Sequence, residues 1–115
     1  MTNEILEVET TTRDGFEVVA ARGEVDVSSA DTLWSQVESA FARADNVIVD
    51  LSGVSFLDST GLGVLVAARN TAESADRPTS LDLVVSDPHL LKILDITGLT
   101  ALFRIHPTLE AACNR

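Results

Sequence analysis

The sequence predicts a single α/β domain of order ββαβαβαβα. Three observations lead there. An Asp-Gly pair after a polar run signals a hairpin at the start of the chain. Short aliphatic runs of strand length then alternate with segments whose apolar residues recur at helical spacing. Proline and glycine breakers separate these segments. Such alternation implies a mixed sheet whose later strands are parallel and joined by right-handed helical crossovers.

Ile5–Glu9 and Phe16–Arg22 read as two strands around a polar turn at Arg13-Asp14-Gly15, with Thr10–Thr12 leaving the loop length open. The first alternates weakly, Leu6 and Val8 against Glu7 and Glu9, as suits an edge. The second has Phe16, Val18 and Ala20 on one face and Val19 and Ala21 on the other, as suits a more central strand. Gly23-Glu24-Val25-Asp26 leaves it, and Ser28-Ser29 caps a helix whose stripe is Ala30, Leu33, Trp34, Val37, Ala40 and Phe41. Trp34 on that stripe reads as core rather than as a ligand platform. Asp45-Asn46 ends the helix and Val47–Leu51 form the third strand. A second helix runs from about Ser59 to Ser74, with Leu62, Leu65, Val66, Arg69 and Ala72 on one face, and breaks at Ala75–Pro78. Leu81–Val85 is the fourth strand. Asp87-Pro88 opens a third helix, closed by Gly98. Leu102–Ile105 is a short fifth strand, and Pro107 begins a last small helix containing Leu109, Ala112 and Cys113.

Composition bounds the function. At 115 residues the chain makes one domain, spanning 1–115, able to bury roughly two thirds of its unfolded surface. Hydrophobic residues at 45% with only 4% aromatic give an aliphatic core. No apolar run approaches the roughly 18 residues of a membrane span. The start Met1-Thr2-Asn3-Glu4 has neither a basic nor an apolar character, so a cytoplasmic protein without a secretory signal is expected. Eighteen acidic against eight basic residues give a net charge of −10. That disfavours nucleic acid and anionic lipid and fits a basic protein surface as partner, though it also serves solubility alone. One cysteine, Cys113, excludes an internal disulfide and a cysteine-based metal cluster.

The segment Asp50–Leu65, DLSGVSFLDSTGLGVL, organises the chain. It begins as a buried strand and ends as an apolar helix. A serine or aspartate before an apolar-periodic run is a helix N-cap, so Asp58-Ser59 marks the handover. Reading Ser59 as the cap puts Thr60 at the first helical position. Gly61 and Gly63 then lie in the first turns, each costing up to about 1 kcal/mol relative to alanine, which implies some need for bare backbone. A capping serine with two packing glycines would satisfy the spacing alone. Enzymatic readings fail. The position two before Ser59 is Leu57, so the G-x-S-x-G elbow is missing, and His89 and His106 both read as exposed residues near helix starts. No phosphate-binding loop, dinucleotide fingerprint or metal-ligand spacing is present, so neither a cofactor nor a metal is expected.

Three short segments, Asp58–Leu62, Gly23–Asp26 and Leu94–Leu99, together resemble those of the STAS family, which includes the anti-sigma factor antagonists and sulfate-transporter domains. Asp58-Ser59-Thr60-Gly61-Leu62 is similar to the antagonists' D-S-[ST]-G-[LIV], Gly23-Glu24-Val25-Asp26 to the family's G-E-[LIV]-D, and Leu94–Leu99 to its L-[FD]-x-[ST]-G-L. The resemblance spans almost the whole chain. It implies a sheet of four or five strands with helices mostly on one side. It also implies a non-enzymatic anti-sigma factor antagonist that binds an anti-sigma factor with serine-kinase activity, frees a sigma factor, and is switched off by phosphorylation of Ser59 and reset by a serine phosphatase. Asp26, Asp58, Thr60, Gly61 and Leu62 would face the partner, Asp26 and Asp58 meeting if their strands are neighbours. For Asp26, a plain turn residue is the alternative. The rival function is a STAS scaffold subunit of a transporter or a larger signalling assembly; a pure scaffold, however, has no need of the Ser59 hydroxyl. A small-ligand or nucleotide-binding module is a third reading, without a motif to carry it.

Overall fold

The computed structural model describes residues 5–114. Its elements are β1 (Glu7–Arg13), β2 (Phe16–Val25), α1 (Ala30–Arg43), β3 (Asn46–Leu57), α2 (Ser59–Ser74), β4 (Ser80–Val84), α3 (Pro88–Ile96), a 3-10 turn at Leu99–Ala101, β5 (Arg104–His106) and α4 (Leu109–Cys113). The strands lie in sequence order, β1-β2-β3-β4-β5. β1 is antiparallel to β2, and every later pair is parallel. The mixed five-stranded sheet is the expected one.

Crossovers of one hand between neighbouring strands must lie on one face. Accordingly α1, α2 and α3 bury Leu33, Val37, Leu65, Ala68, Leu90 and Leu94 with Val19, Val47, Val49 and Leu83 of the sheet. The short α4 covers the other face, closing Ala112 over Val18, Ile48 and Val84. Helices mostly on one face is therefore correct, with α4 the exception. With both faces covered, Val47, Ile48 and Val49 are all buried, so β3 begins as a continuous aliphatic run.

Strand lengths differ from the sequence reading. Thr10–Thr12 belong to β1, paired with Val19, Val18 and Glu17, as β-branched residues favour. The hairpin turn shrinks to Asp14-Gly15, both at positive φ, 52° and 84°, the conformation whose twist matches the flanking strands. Phe16–Arg22 extends through Gly23-Glu24-Val25, and Val47–Leu51 extends to Leu57. Register shifts at Ala20/Arg22 and Gly23/Glu24 break the two-residue alternation, so Leu51, Val54 and Leu57 are buried at intervals of three. On α2 the buried face is Gly61, Val64, Leu65 and Ala68, leaving Leu62, Val66, Arg69 and Ala72 only partly covered. Trp34 is half-buried at the edge of the core. β5 starts at Arg104 because Leu99–Ala101 form a turn first.

His106 is the clearest correction. It is not exposed: its side chain is 14% accessible, and its Nε2 lies 2.7 Å from Oδ2 of the buried Asp82. The parallel register sets Val84 beside His106 and Asp82 beside Arg104, which brings the imidazole back over the Asp82 carboxylate.

Candidate functional site: the paired ends of β2 and β3

The extra length of β2 and β3 builds the site. Both strands run past the end of β4's pairing, which stops at Asp50↔Val84, and they finish as partners, Val25↔Leu57. The next residues are Asp26 and Asp58. The Asp58 amide donates to the Val25 carbonyl at 3.1 Å, tying the two ends together. Asp26 and Asp58 thus follow paired residues on neighbouring strands, near enough for the charge of Asp26 to act on Asp58.

Asp58 is the N-cap of α2. Its Oδ1 accepts the amides of Thr60 (2.9 Å) and Gly61 (3.1 Å) and also the Thr60 hydroxyl. Ser59 is consequently not the cap. It stands at the first helical position and Thr60 at the second, one residue beyond the sequence reading. An aspartate and a serine in tandem can each cap, and the carboxylate, accepting three bonds, takes the position. Ser59 is exposed, and its hydroxyl has no hydrogen-bond partner among the described residues.

Asp26 organises the turn before α1. Its Oδ1 accepts the Ser28 hydroxyl at 2.7 Å and the Ser28 amide at 3.0 Å, and its carbonyl accepts the amides of Ser29 and Ala30. Ser29 occupies the N-cap position of α1 without a side-chain cap bond. Its hydroxyl turns back, accepting the Asp26 amide and reaching the Glu24 carbonyl, both at 3.0 Å. The turn role considered for Asp26 is therefore real, alongside its place beside Asp58.

Hydrogen bonds hold both carboxyls below the ordinary aspartate value. For Asp58 the Thr60 hydroxyl is the largest cause; burial and the Asp26 charge push the other way and lose. For Asp26 the Ser28 hydroxyl leads, followed by the Ser28 amide. The site is thus a fixed, doubly anionic ledge with one free hydroxyl on it.

Gly61 lies underneath rather than on the ledge. A Cβ there would come within 2.8 Å of Leu57 Cγ and 3.0 Å of Val25 Cγ1, so its bare backbone lets α2 sit on the strand ends. Leu62 is half-buried against the core. Sequence reasoning missed two neighbours of the acids. Val27, after Asp26, is 79% exposed, and Phe56, two before Asp58, is 51% exposed. Phe56 borders a groove of about 260 Å³ shared with Leu57, Leu90, Ile93 and the exposed His89. An apolar residue stranded next to a strand-end acid was the available signal. Among the described residues no group of three or more His, Cys, Asp or Glu could hold a metal ion, and no helix is long and apolar enough to cross a membrane.

The STAS domain model matches residues 7–112. The chain belongs to the STAS domain family. The anti-sigma-B factor antagonist of Staphylococcus aureus is 34% identical over 108 residues, covering 91% of this chain and 96% of that protein. Its counterpart from Staphylococcus epidermidis is 32% identical over 106 residues, with the same coverage. In fold, this STAS domain is similar to an anti-sigma factor antagonist from Mycobacterium paratuberculosis, with a TM-score of 0.86, 30% identity, and 96% of this chain and 92% of that one covered. It shares the fold of the unphosphorylated antagonist SpoIIAA at a TM-score of 0.74 and 20% identity, covering 96% and 95% of the two chains. Sequence and fold place it with the anti-sigma factor antagonists of the family.

Proposed function

We propose that this STAS domain is a non-enzymatic anti-sigma factor antagonist of the cytoplasm. Its unphosphorylated form binds an anti-sigma factor that carries serine-kinase activity, and so frees a sigma factor. Phosphorylation of Ser59 cancels that hold, and a serine phosphatase restores it. The observation that carries the reading is the free, exposed hydroxyl of Ser59 on a ledge whose other hydroxyls, those of Thr60, Ser28 and Ser29, are already engaged. SpoIIAA, which shares the fold, is known in both a phosphorylated and an unphosphorylated form.

The transfer needs an in-line approach to an exposed hydroxyl. Ser59 Oγ bonds to the γ-phosphorus of ATP, the bond from that phosphorus to the β-phosphate oxygen breaks, and ADP departs. The hydroxyl proton passes to a base of the kinase. The new group brings about −1.5 to −2 charges. A phosphate at a helix start is usually received by free amides. Here the amides of Thr60 and Gly61 are held by Asp58. The phosphate therefore stays in solvent, its charge added to those of Asp26 and Asp58. In the free protein this costs little, because water solvates it. Beneath a docked partner the unpaired dianion costs several kcal/mol, enough to undo a modest interface. The switch acts on binding and leaves the fold intact.

Titration of a purified anti-sigma factor kinase with wild type, Ser59→Ala and Ser59→Asp tests this. Wild type and Ser59→Ala should bind alike, Ser59→Asp at least tenfold more weakly. Equal affinity for all three would replace the switch with a scaffold.

A further inference from the structure

Among the described residues nothing requires Gly63 to be glycine. It lies inside α2 on the exposed side, with no positive φ, and a Cβ there would meet nothing within 4 Å. Glycine is a poor helix former, second only to proline, so the helix itself is weakened by it. Gly61, two residues earlier, presents the opposite case, being packed against Leu57 and Val25. Nothing among the described residues requires bare backbone at Gly63.

Around Gly63 runs an open groove of about 450 Å³ between α1 and α2, bordered by Val27, Ala30, Trp34, Thr60 and Ala67. Its walls are mostly apolar, and Val27 on its rim is largely exposed. It is continuous with the ledge, since Thr60 both lines the groove and bonds to Asp58. Its charge has one sign: Asp31 lines it, Asp26 and Asp58 flank it, and no Lys or Arg lines it. A second copy of this chain, at −10, would meet acid with acid. A partner with an apolar side chain set among basic residues fits both the walls and the rim.

We propose that this groove seats an apolar side chain of the anti-sigma factor, and that Gly63 is glycine to let that side chain reach the backbone of α2. Partner docking thus continues from Ser59 along α2, with the half-buried indole of Trp34 as the opposite wall. This rests on the antagonist reading of the Ser59 site.

The test uses the full chain with the purified anti-sigma factor kinases of the source organism, titrated one by one. Gly63→Ala should melt no lower than wild type yet bind more weakly. Gly63→Leu and, independently, Ala67→Leu should each lose about tenfold or more in affinity, because their side chains fill the groove. Trp34 is the chain's one tryptophan, so 5-fluorotryptophan incorporated there gives a single fluorine resonance, which should shift on complex formation. A complex that Ser59→Asp abolishes, but that binds folded Gly63→Leu and Ala67→Leu within twofold of wild type or leaves the fluorine signal unmoved, overturns the groove while sparing the switch. If no kinase binds wild type, the antagonist reading falls and takes the occupant with it. A self-association removed by Gly63→Leu would give the groove to a second copy and also overturn the proposal.

Discussion

The carboxylate of Asp58 holds the hydroxyl of Thr60, while the adjacent hydroxyl of Ser59 is left to solvent. Two neighbouring hydroxyls of similar chemistry are thereby made unequal. A kinase that takes Thr60 must break its bond to Asp58 and turn a β-branched side chain inside the first helical turn. Phosphate is expected on Ser59, with Thr60 modified little. Thr60→Val should remain a substrate and Ser59→Ala should not. Fragmentation of the Asp58-containing peptide after incubation with kinase and ATP locates the group. Label found mainly on Thr60 would reverse the assignment.

The cap also moves a stability effect from one residue to the next. Asp58→Ala removes the acceptor of two amides and a hydroxyl, and should cost roughly 0.5–2 kcal/mol. Ser59→Ala, at an exposed first helical position, should change stability by less than about 0.5 kcal/mol. Urea unfolding of the two variants separates them. A Ser59→Ala loss equal to that of Asp58→Ala would return the cap to Ser59.

Acid should find the ledge. Asp26 and Asp58 lie below their ordinary value of 3.8, and Glu17 lies below 4.5 through the Thr12 hydroxyl first and then Arg43. A carboxyl depressed in the folded state favours folding fully above its unfolded value, and that contribution disappears as pH falls through the folded one. These groups should leave stability unchanged above about pH 5 and lower it progressively below about pH 4. Asp58→Asn should flatten part of that acid limb. Thermal midpoints between pH 7 and 2.5 provide the comparison; superimposable profiles would mean the Asp58 bonds carry no linkage.

Most of the fold was legible because its signals are local. The hairpin turn, the stripe of α1 and the Asp87-Pro88 start of α3 each depend on a few adjacent residues; the last two lie where the sequence put them, and the turn only tightens from Arg13–Gly15 to Asp14-Gly15. The strand ends were not legible. Buried Leu51, Val54 and Leu57 fall three apart, and no alternation rule finds a strand whose register shifts partway along. Within the site, two short segments pointed to Ser59, Asp58 and Asp26, but of the two candidate caps the sequence favoured Ser59, and the structure uses Asp58. That ranking depends on which oxygen reaches the amides of Thr60 and Gly61. His106 was misread for a similar reason, since its partner Asp82 is 24 residues away and only the β4–β5 register joins them.

The two glycines of α2 should respond oppositely to the same methyl group. Gly61→Ala drives a Cβ into Leu57 and Val25, and overpacking of this kind costs about 1–3 kcal/mol. Gly63→Ala meets open space and should stabilise the helix by up to about 1 kcal/mol. Chemical denaturation of both variants reads the difference directly. Equal destabilisation would mean that α2 sits deeper on the sheet than its Gly61 contacts show.

On the far side of the sheet Asp82 is buried and His106 approaches it. β5 has only three residues and, among the described residues, pairs with β4 alone, so a side-chain bond between the two strands bears heavily on its retention. His106→Phe keeps much of the ring but removes the nitrogen and with it the bond to Asp82, at a cost of about 0.5–1.5 kcal/mol. Asp82→Asn keeps a polar partner for the imidazole and should cost less. The double variant isolates the pair: groups in direct contact give coupling energies of about 0.5–3 kcal/mol, whereas distant groups add independently. A coupling below about 0.5 kcal/mol would show that the bond does not hold β5. In His106→Phe the amides of Arg104–His106 should also exchange faster with solvent while those of β3 keep their protection, because the loosened strand is at the sheet's edge and the core between α1, α2 and β3 is untouched.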